Sequence, residues 1–514
     1  MTSEWTRNLD EAGVVRLAEL LAFKMRPSDV IALSGDLGAG KTTLARALIG
    51  AVLRDGSAEV TSPTFSLHQS YAGHRMTISH FDFYRLSSAQ EAIEVGFDDA
   101  IDQGAVVVEW PERAASLLPE TRIDVQLAET GDPDVRRVAV RGTGEAASRV
   151  ARIADLMAFI DRQPEWTSAS ITHVQGDAST RSYARLTRDG RSAVLMDAPA
   201  QPDGPPIRDG KPYSRIAHLA EDMATASAAL SPPLRAAGLS APEVLAHDLP
   251  NGLLLVEDLG DRVFSTEITR GALPQPELWR TAVDALVALQ RSEPRERLPV
   301  GGDGGHHVLP LYDASALLIE TELLLDWYWP ALHRGPPPED IRAEFVALWR
   351  AVFLRLEAQP RAWVLRDFHS PNLVWVPDRE GIQRVGVLDF QDAQRGPAAY
   401  DLASLLQDAR VDVSADLEAE LFARYCDGTR QRNPGFDQAE FTFAYHALGL
   451  QRNTKILGIF VRLARRDGKQ QYLAHMPRIW GYLQRNLGHV ALAPLAAWYD
   501  THFPSAVRDG KLPP

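Results

Sequence analysis

The 514-residue chain is 45% hydrophobic and 24% charged, with 54 basic against 68 acidic residues and a net charge of −14. This composition excludes disorder throughout, supplies two or three domains at roughly 100–200 residues each, and argues against a nonspecific grip on nucleic acid, which needs a basic surface. Cys426 is the only cysteine, which excludes an intrachain disulfide and a cysteine-rich metal site. The apolar run LLIETELLLDWYWPAL (317–332) is broken by Glu320, Glu322 and Asp326, so no membrane span is expected. The segment MTSEWTRNLDEAG lacks the basic-then-apolar pattern of a secretory leader, and a cytoplasmic location is expected.

Residues 1–142 alternate between helical and strand patterns. LDEAGVVRLAELLAFKM is apolar at helical spacing, DVIALSG is a short β-rich run, and KTTLARALIGAVLR is helical again. MTISHFDFYRL has strand character, and GAVVVEW is the near-continuous apolar run of a buried parallel strand. RIDVQLAE and VRRVAVRG read as an edge hairpin. RGTGEAASR (141–149) is small, polar and glycine-containing, and reads as a linker leading into the amphipathic ARIADLMAFIDRQ. The organisation expected is a P-loop domain over 1–142, a linker and connecting helix over 143–164, a first kinase-like lobe over 165–260, and a mainly helical lobe over 261–514.

GDLGAGKT (35–42) fits G-x-x-x-x-G-K-[ST] between a strand and a helix. Gly35, Gly38 and Gly40 let successive N–H groups point at phosphate oxygens. The helix beginning near Lys41 adds its positive end. Lys41 would reach the β- and γ-phosphates and Thr42 would hold Mg²⁺, with Thr43 beside them. Asp82 and Glu109, both at strand ends, are the candidate carboxylates for the metal and the attacking water.

GDLGAGKT, TSPTF (61–65), HFDFYRL (80–86), VEWPE (108–112) and LLP (117–119) together resemble TsaE, the ATPase of bacterial tRNA threonylcarbamoyladenosine synthesis. The resemblance implies a P-loop fold, ATP hydrolysis and TsaB- and TsaD-like partners. It places Thr64 in a switch-like segment, Asp82 on the metal side, Glu109 at the water and Trp110 against adenine. Residues 1–142 hold 14 basic and 21 acidic side chains, a balance of −7, which suits a module acting through protein partners.

ITHVQGDASTRSYARLTRDGRSAVLMDAP (171–199) reads as antiparallel strands, SRIAHLAEDMATASAAL (214–230) as a helix, and EVLAHDLPNGLLLVEDLG (243–260) as a hairpin. From about residue 276 the pattern is helical, apart from the β-rich island 361–392. There, VLRDFHSPNLVWV sets Asp367 five residues before Asn372, and RVGVL delivers Asp389 in DFQD. This is the D-x-x-x-x-N…D-F arrangement of kinase-type phosphotransferases: one carboxylate takes the hydroxyl proton, while an amide and a second carboxylate hold Mg²⁺ on ATP.

GDASTRSYAR (176–185), VLMDAP (194–199), LLVEDLGD (254–261), LLLDWYW (323–329), LRDFHSPNL (365–373) and VLDFQDAQRGPAAYDLASLLQDAR (387–410) resemble the aminoglycoside phosphotransferase superfamily. More narrowly, they resemble its anomeric kinases of N-acetylmuramate and N-acetylglucosamine. The fold class expected is therefore an α/β P-loop NTPase domain followed by an α+β bilobal protein-kinase-like phosphotransferase domain. The resemblance implies Asp367 as base, Asn372 and Asp389 as Mg²⁺ ligands, Glu257–Leu259 as an adenine-binding hinge, and GDAST over the phosphates. An antibiotic phosphotransferase and a silent nucleotide-binding module are the alternatives for this half.

The sequence departs from the kinase pattern at the third strand, where Met196 and Asp197 stand in place of the phosphate-binding lysine and Lys211 is the only lysine of the first lobe. Arg181 and Arg185 are the candidate replacements, and Glu221 the candidate helix carboxylate. Leu365 replaces the usual histidine of the catalytic loop. Trp327, Tyr328 and Trp329 are candidates for stacking on a sugar, and His369 for touching its hydroxyl. Cys426 reads as a buried apolar residue.

Overall fold

The computed structural model describes residues 1–55, 60–63, 66–174, 181–301 and 305–508. The TSPTF residue Thr64 and the GDAST segment lie outside them. By packing, the chain forms two units, residues 1–199 with 245–258, and residues 200–244 with 259–514. The chain passes from the first to the second between Asp258 and Leu259, within the expected hinge.

The first unit begins with a strand that the largely polar MTSEWTRNLD does not announce. β1 (Thr2–Asp10) has one half-buried face, carrying Trp5 and ending at the buried Leu9. Asp10 closes it and caps α1 (Glu11–Lys24), its carboxylate accepting the Gly13 N–H at 2.8 Å. There follow β2 (Val30–Ser34), α2 (Lys41–Leu53), β3 (His68–Ala72), β4 (Thr77–Asp82), the short helices α3 (Ala89–Glu94) and α4 (Phe97–Gln103), β5 (Gly104–Glu109), β6 (Ile123–Glu129) and β7 (Val135–Thr143).

The sheet order is β1-β7-β6-β2-β5-β4-β3, with β6, β2, β5 and β4 parallel at its centre. All six residues of β5 are buried, as their unbroken apolar run requires. β6 and β7 do form a hairpin, but it is internal and not an edge: β1 pairs with β7 from Thr2↔Thr143 to Asp10↔Val135.

Residues 143–164 do not hang free. Gly144 turns the chain into α5 (Ala146–Asp161), whose Val150, Ile153, Leu156, Met157 and Ile160 are buried. These side chains belong to one hydrophobic core together with Leu17 and Leu21 of α1, and with a second sheet. That sheet contains β8 (Ser170–Val174), β9 (Ser182–Arg188), β10 (Arg191–Asp197) and the hairpin of Val244–Asp248 with Leu253–Glu257, all antiparallel where registered. Ala184, Leu186, Ala193, Leu195, Leu253 and Leu255 supply its share of the core.

The second unit is mostly helical and is organised around the 29-residue helix Gln438–Arg466, with the short β-rich island embedded in it. Strand Leu373–Trp375 pairs with Val385–Val387, and Ala362–Val364 with Gln394–Gly396. The aromatic run 327–329 lies in and after a π-helical turn. Tyr328 and Trp329 are core residues: Tyr328 Oη donates to the Val507 carbonyl at 3.1 Å, and Trp329 packs among His333, His502 and Phe503. Neither is available to stack on a sugar. Cys426 is buried. No helix among the described residues is long and apolar enough to cross a membrane.

Candidate active sites

The P-loop site sits where β2 gives way to α2. Gly35, Gly38 and Gly40 all have positive φ, at 138°, 86° and 103°. At Gly35 a Cβ would meet the Leu127 carbonyl oxygen at 2.2 Å, so only glycine fits beside β6. α2 starts at Lys41 with no side-chain cap, leaving its first N–H groups to the loop that faces them.

Lys41 is 4% exposed. Its Nζ donates to the carbonyls of Gly35 and Asp36 at 2.7 and 2.8 Å. Burial pulls its pKa below the ordinary lysine value, against the nearby charges of Glu109, Glu112, Asp82 and Asp36. The ammonium lies 3.8 Å from the Trp110 ring centre, so the structure sets Trp110 at the lysine end of the loop, with its ring also against Tyr84.

The carboxylates come from adjacent parallel strands, with Asp82 opposite Glu109 in register. Glu109 accepts from Thr42 Oγ1 at 2.9 Å and stands 3.0 Å from His80 Nε2. Asp82 accepts from Ser62 Oγ at 3.2 Å and from the Tyr84 N–H at 3.0 Å. The sequence reading missed His80, which is fully buried. The signal was present: in HFDF it lies two residues before Asp82 and so on the same face of β4.

The second site is built on a loop and two strands. After Ala362–Val364 the backbone turns through Arg366 at φ 69°, placing Asp367 at the bend. The Leu373–Val387 pairing returns the chain beside Asn372, where the Leu388 N–H meets the Asn372 carbonyl at 2.9 Å. Asn372 Nδ2 donates to the Asp367 carbonyl at 3.1 Å and lies 3.5 Å from Asp389 Oδ2. Gln391 Nε2 holds the other Asp389 oxygen at 2.7 Å. Asp389 itself has φ 58°. Positive φ at two non-glycine residues flanking one site is conformational strain that the surroundings must hold.

Those surroundings are charged and buried. Asp401 accepts the Leu365 and Arg366 N–H groups at 2.6 and 2.9 Å, and Asp408 accepts that of Ser370 at 2.7 Å. Burial lifts the Asp401 pKa to about 7. The Arg366 guanidinium pairs with Glu320 and donates to the Ala217 carbonyl at 3.0 Å. Glu320, with none of its surface exposed, also accepts from Lys455 at 2.9 Å, Gln451 at 3.0 Å and Tyr312 at 2.5 Å. Burial alone would raise the Glu320 pKa; the charges of Lys455 and Arg366 hold it below the carboxylate value.

The Asp367 side chain is 40% exposed, with His369 Nε2 3.6 Å from Oδ1. Its surroundings push its pKa up by desolvation, but His369, Lys455 and Arg366 pull it well below the carboxylate range. Asp367 is therefore ionised at neutral pH.

Asp197 is fully buried between Lys24 and Arg152. Arg185 forks onto Asp258 at 2.6 and 3.1 Å. Glu221 pairs with Arg215 ahead of the helix Met223–Ala236, and Lys211 lies exposed on a two-stranded turn. Glu257 ends its strand and Leu259 is buried in the second unit, against Gly386.

Comparison with known proteins gives two matches in chain order. The family described as threonylcarbamoyl adenosine biosynthesis protein TsaE matches residues 9–138, and the phosphotransferase enzyme family matches residues 170–438. The N-acetylmuramate/N-acetylglucosamine kinase of Caulobacter vibrioides is 39% identical over 341 residues, 65% of this chain and 92% of that one. The TsaE protein of Rickettsia conorii is 40% identical over 117 residues, 23% of this chain and 66% of that one. The TsaE protein of Rickettsia typhi is 38% identical over 117 residues and 81% of its length. With a P-loop site in one part and an Asp-Asn-Asp loop in the other, the chain belongs to the TsaE family in its N-terminal part and to the phosphotransferase enzyme family in the remainder.

Proposed function

We propose that the chain is bifunctional. Its P-loop centre hydrolyses ATP in support of tRNA threonylcarbamoyladenosine formation, with TsaB- and TsaD-like proteins as partners. Its second centre transfers the γ-phosphoryl group of ATP to the anomeric hydroxyl of N-acetylmuramate or N-acetylglucosamine, a step of cell-wall recycling. The observation that carries the second reading is that Asn372, on the loop of Asp367, meets Asp389 from the end of the paired strand, in a chain similar to kinases of those sugars.

Asp367 accepts the proton of the attacking hydroxyl and, being ionised and hydrogen-bonding, orients it. A base of low pKa suffices where the transition state is loose and the proton leaves late. Arg366 and Asp401 hold the loop at the required angle. In the P-loop centre, Lys41 is poised for the phosphate oxygens and Glu109, braced by Thr42 and His80, is the acceptor that orients water.

Both sites offer oxygen donors that fit Mg²⁺: Thr42 with Asp82, and Asn372 with Asp389. Among the described residues no group of three His, Cys, Asp or Glu can hold a metal ion unaided. That suits an ion held by one or two protein oxygens and the nucleotide's phosphates. Mg²⁺ bound there neutralises phosphate charge.

The test is ATP consumption by the purified chain with N-acetylmuramate, N-acetylglucosamine and kanamycin, as wild type, Lys41→Ala and Asp367→Asn. Amino-sugar-dependent turnover lost in Asp367→Asn and kept in Lys41→Ala supports the reading. Stimulation by kanamycin alone, or by no sugar, overturns the substrate assignment.

A further inference from the structure

A kinase-like sheet has two faces, and strand alternation assigns them here. In β10, Ala193, Leu195 and Asp197 share one face and Val194 and Met196 the other. Ala193 and Leu195 lie in the same core as Leu17 and Leu21 of α1 and Leu156 and Ile160 of α5. The sheet's face is thus covered by two helices, one of them part of the P-loop domain.

Asp197 makes the contact specific. It has no exposed surface, and its two oxygens meet Lys24 Nζ, at the end of α1, and Arg152 of α5, the latter through bonds of 2.8 and 2.6 Å. Burial pulls the Lys24 pKa below the lysine value while Asp197 opposes it. Polar bonds continue along the seam. Glu19 of α1 accepts the Ile171 N–H of β8 at 3.0 Å. Arg16 donates to the Thr167 carbonyl at 2.6 Å. Phe23 packs on His173 with ring centres 5.8 Å apart. Loss of Lys24 leaves a carboxylate buried with half its pairing.

We propose that the P-loop domain has a second, non-catalytic function: it is the structural cover of the phosphotransferase sheet, and phosphoryl transfer by this chain depends on that cover through Lys24. α5 is then the shared core helix of both parts. The strand that in kinases carries the phosphate-binding lysine is fixed here from behind by a lysine of the other domain. The activity readout rests on the kinase reading above; the structural readout does not.

The experiment is hydrogen exchange by mass spectrometry on the full chain, paired with sugar-dependent ATP consumption. In Lys24→Glu, peptides covering 182–197 and 253–257 should exchange at least tenfold faster, with 30–34 and 104–109 as protected as in wild type. Sugar-dependent turnover should fall at least tenfold. Lys24→Arg should keep both. If Lys24→Glu does not fold, Lys24→Met decides by the same peptides. Unchanged protection of 182–197 overturns the proposal. Equal loss of protection at 30–34 also overturns it, by making Lys24 a residue of the P-loop domain's own stability. A wild type without sugar-dependent turnover overturns the kinase reading and leaves the exchange result to decide this one.

Discussion

The two sites solve one problem, holding charged groups still, in opposite ways. In the P-loop centre the functional groups hold one another: Lys41 rests on the carbonyls of its own loop, and Glu109 is spanned by Thr42 of α2 and His80 of the neighbouring strand β4. In the phosphotransferase loop the functional groups are held by others. Asp401 and Asp408 bind the loop's backbone N–H groups, and Glu320 holds the side chain of Arg366, whose φ is 69°. The first arrangement rests on direct bonds between the functional groups themselves. The second depends on a buried ion network.

The largest effect that tests this contrast is Asp367→Asn. It should lower sugar-dependent turnover about 100-fold or more and leave sugar-independent hydrolysis at the P-loop unchanged, measured by coupled ATP consumption. Glu109→Gln should do the converse, lowering sugar-independent hydrolysis about 100-fold with sugar turnover retained. If either variant silences both activities, the sites are not separate.

Next in size is Glu320→Ala, which leaves Arg366 and Lys455 buried without their shared carboxylate. It should destabilise the second unit by about 3–5 kcal/mol in denaturant unfolding and reduce sugar turnover in the fraction that remains folded. Glu320 lies 46 and 135 positions from Arg366 and Lys455.

These distances mark what the sequence could convey. The P-loop and the Asp-Asn-Asp loop were legible because their chemistry demands fixed residue types at short spacing. His80 was legible in principle, by alternation with Asp82. Glu320 was read only as a charge interrupting an apolar run, since nothing local records that it meets Arg366. Likewise α5 showed an apolar face without saying what covers it, and β1 offers only Trp5 and Leu9 as apolar anchors, too few to announce a strand. Tyr328 and Trp329 are no more than candidates for a sugar platform in the sequence, since aromatic side chains serve cores more often than ligands.

The smallest effect concerns pH. Burial raises the Glu19 pKa from 4.5 to about 7 in the first unit, and that of Asp401 from 3.8 to about 7 in the second. A carboxyl raised on folding contributes stability that is full below its unfolded pKa and is lost as pH rises through its folded one. Stability should therefore fall between about pH 4.5 and 7. Glu19→Gln should remove roughly half of that slope, leaving Asp401's share, as read from melting temperature against pH. An unaltered slope would place the whole effect in the second unit.

The first unit is also discontinuous along the chain, closed by residues 245–258 only after 200–244 have left it. This has a consequence for synthesis on the ribosome. The strands of the P-loop sheet are all present once Thr143 has emerged, and β10 once Asp197 has. The strand Leu253–Glu257, which pairs with β10, emerges later, after roughly 3–10 s at typical elongation rates. For that interval β10 presents an unpaired edge, the feature of a nascent chain most prone to pairing with the wrong neighbour.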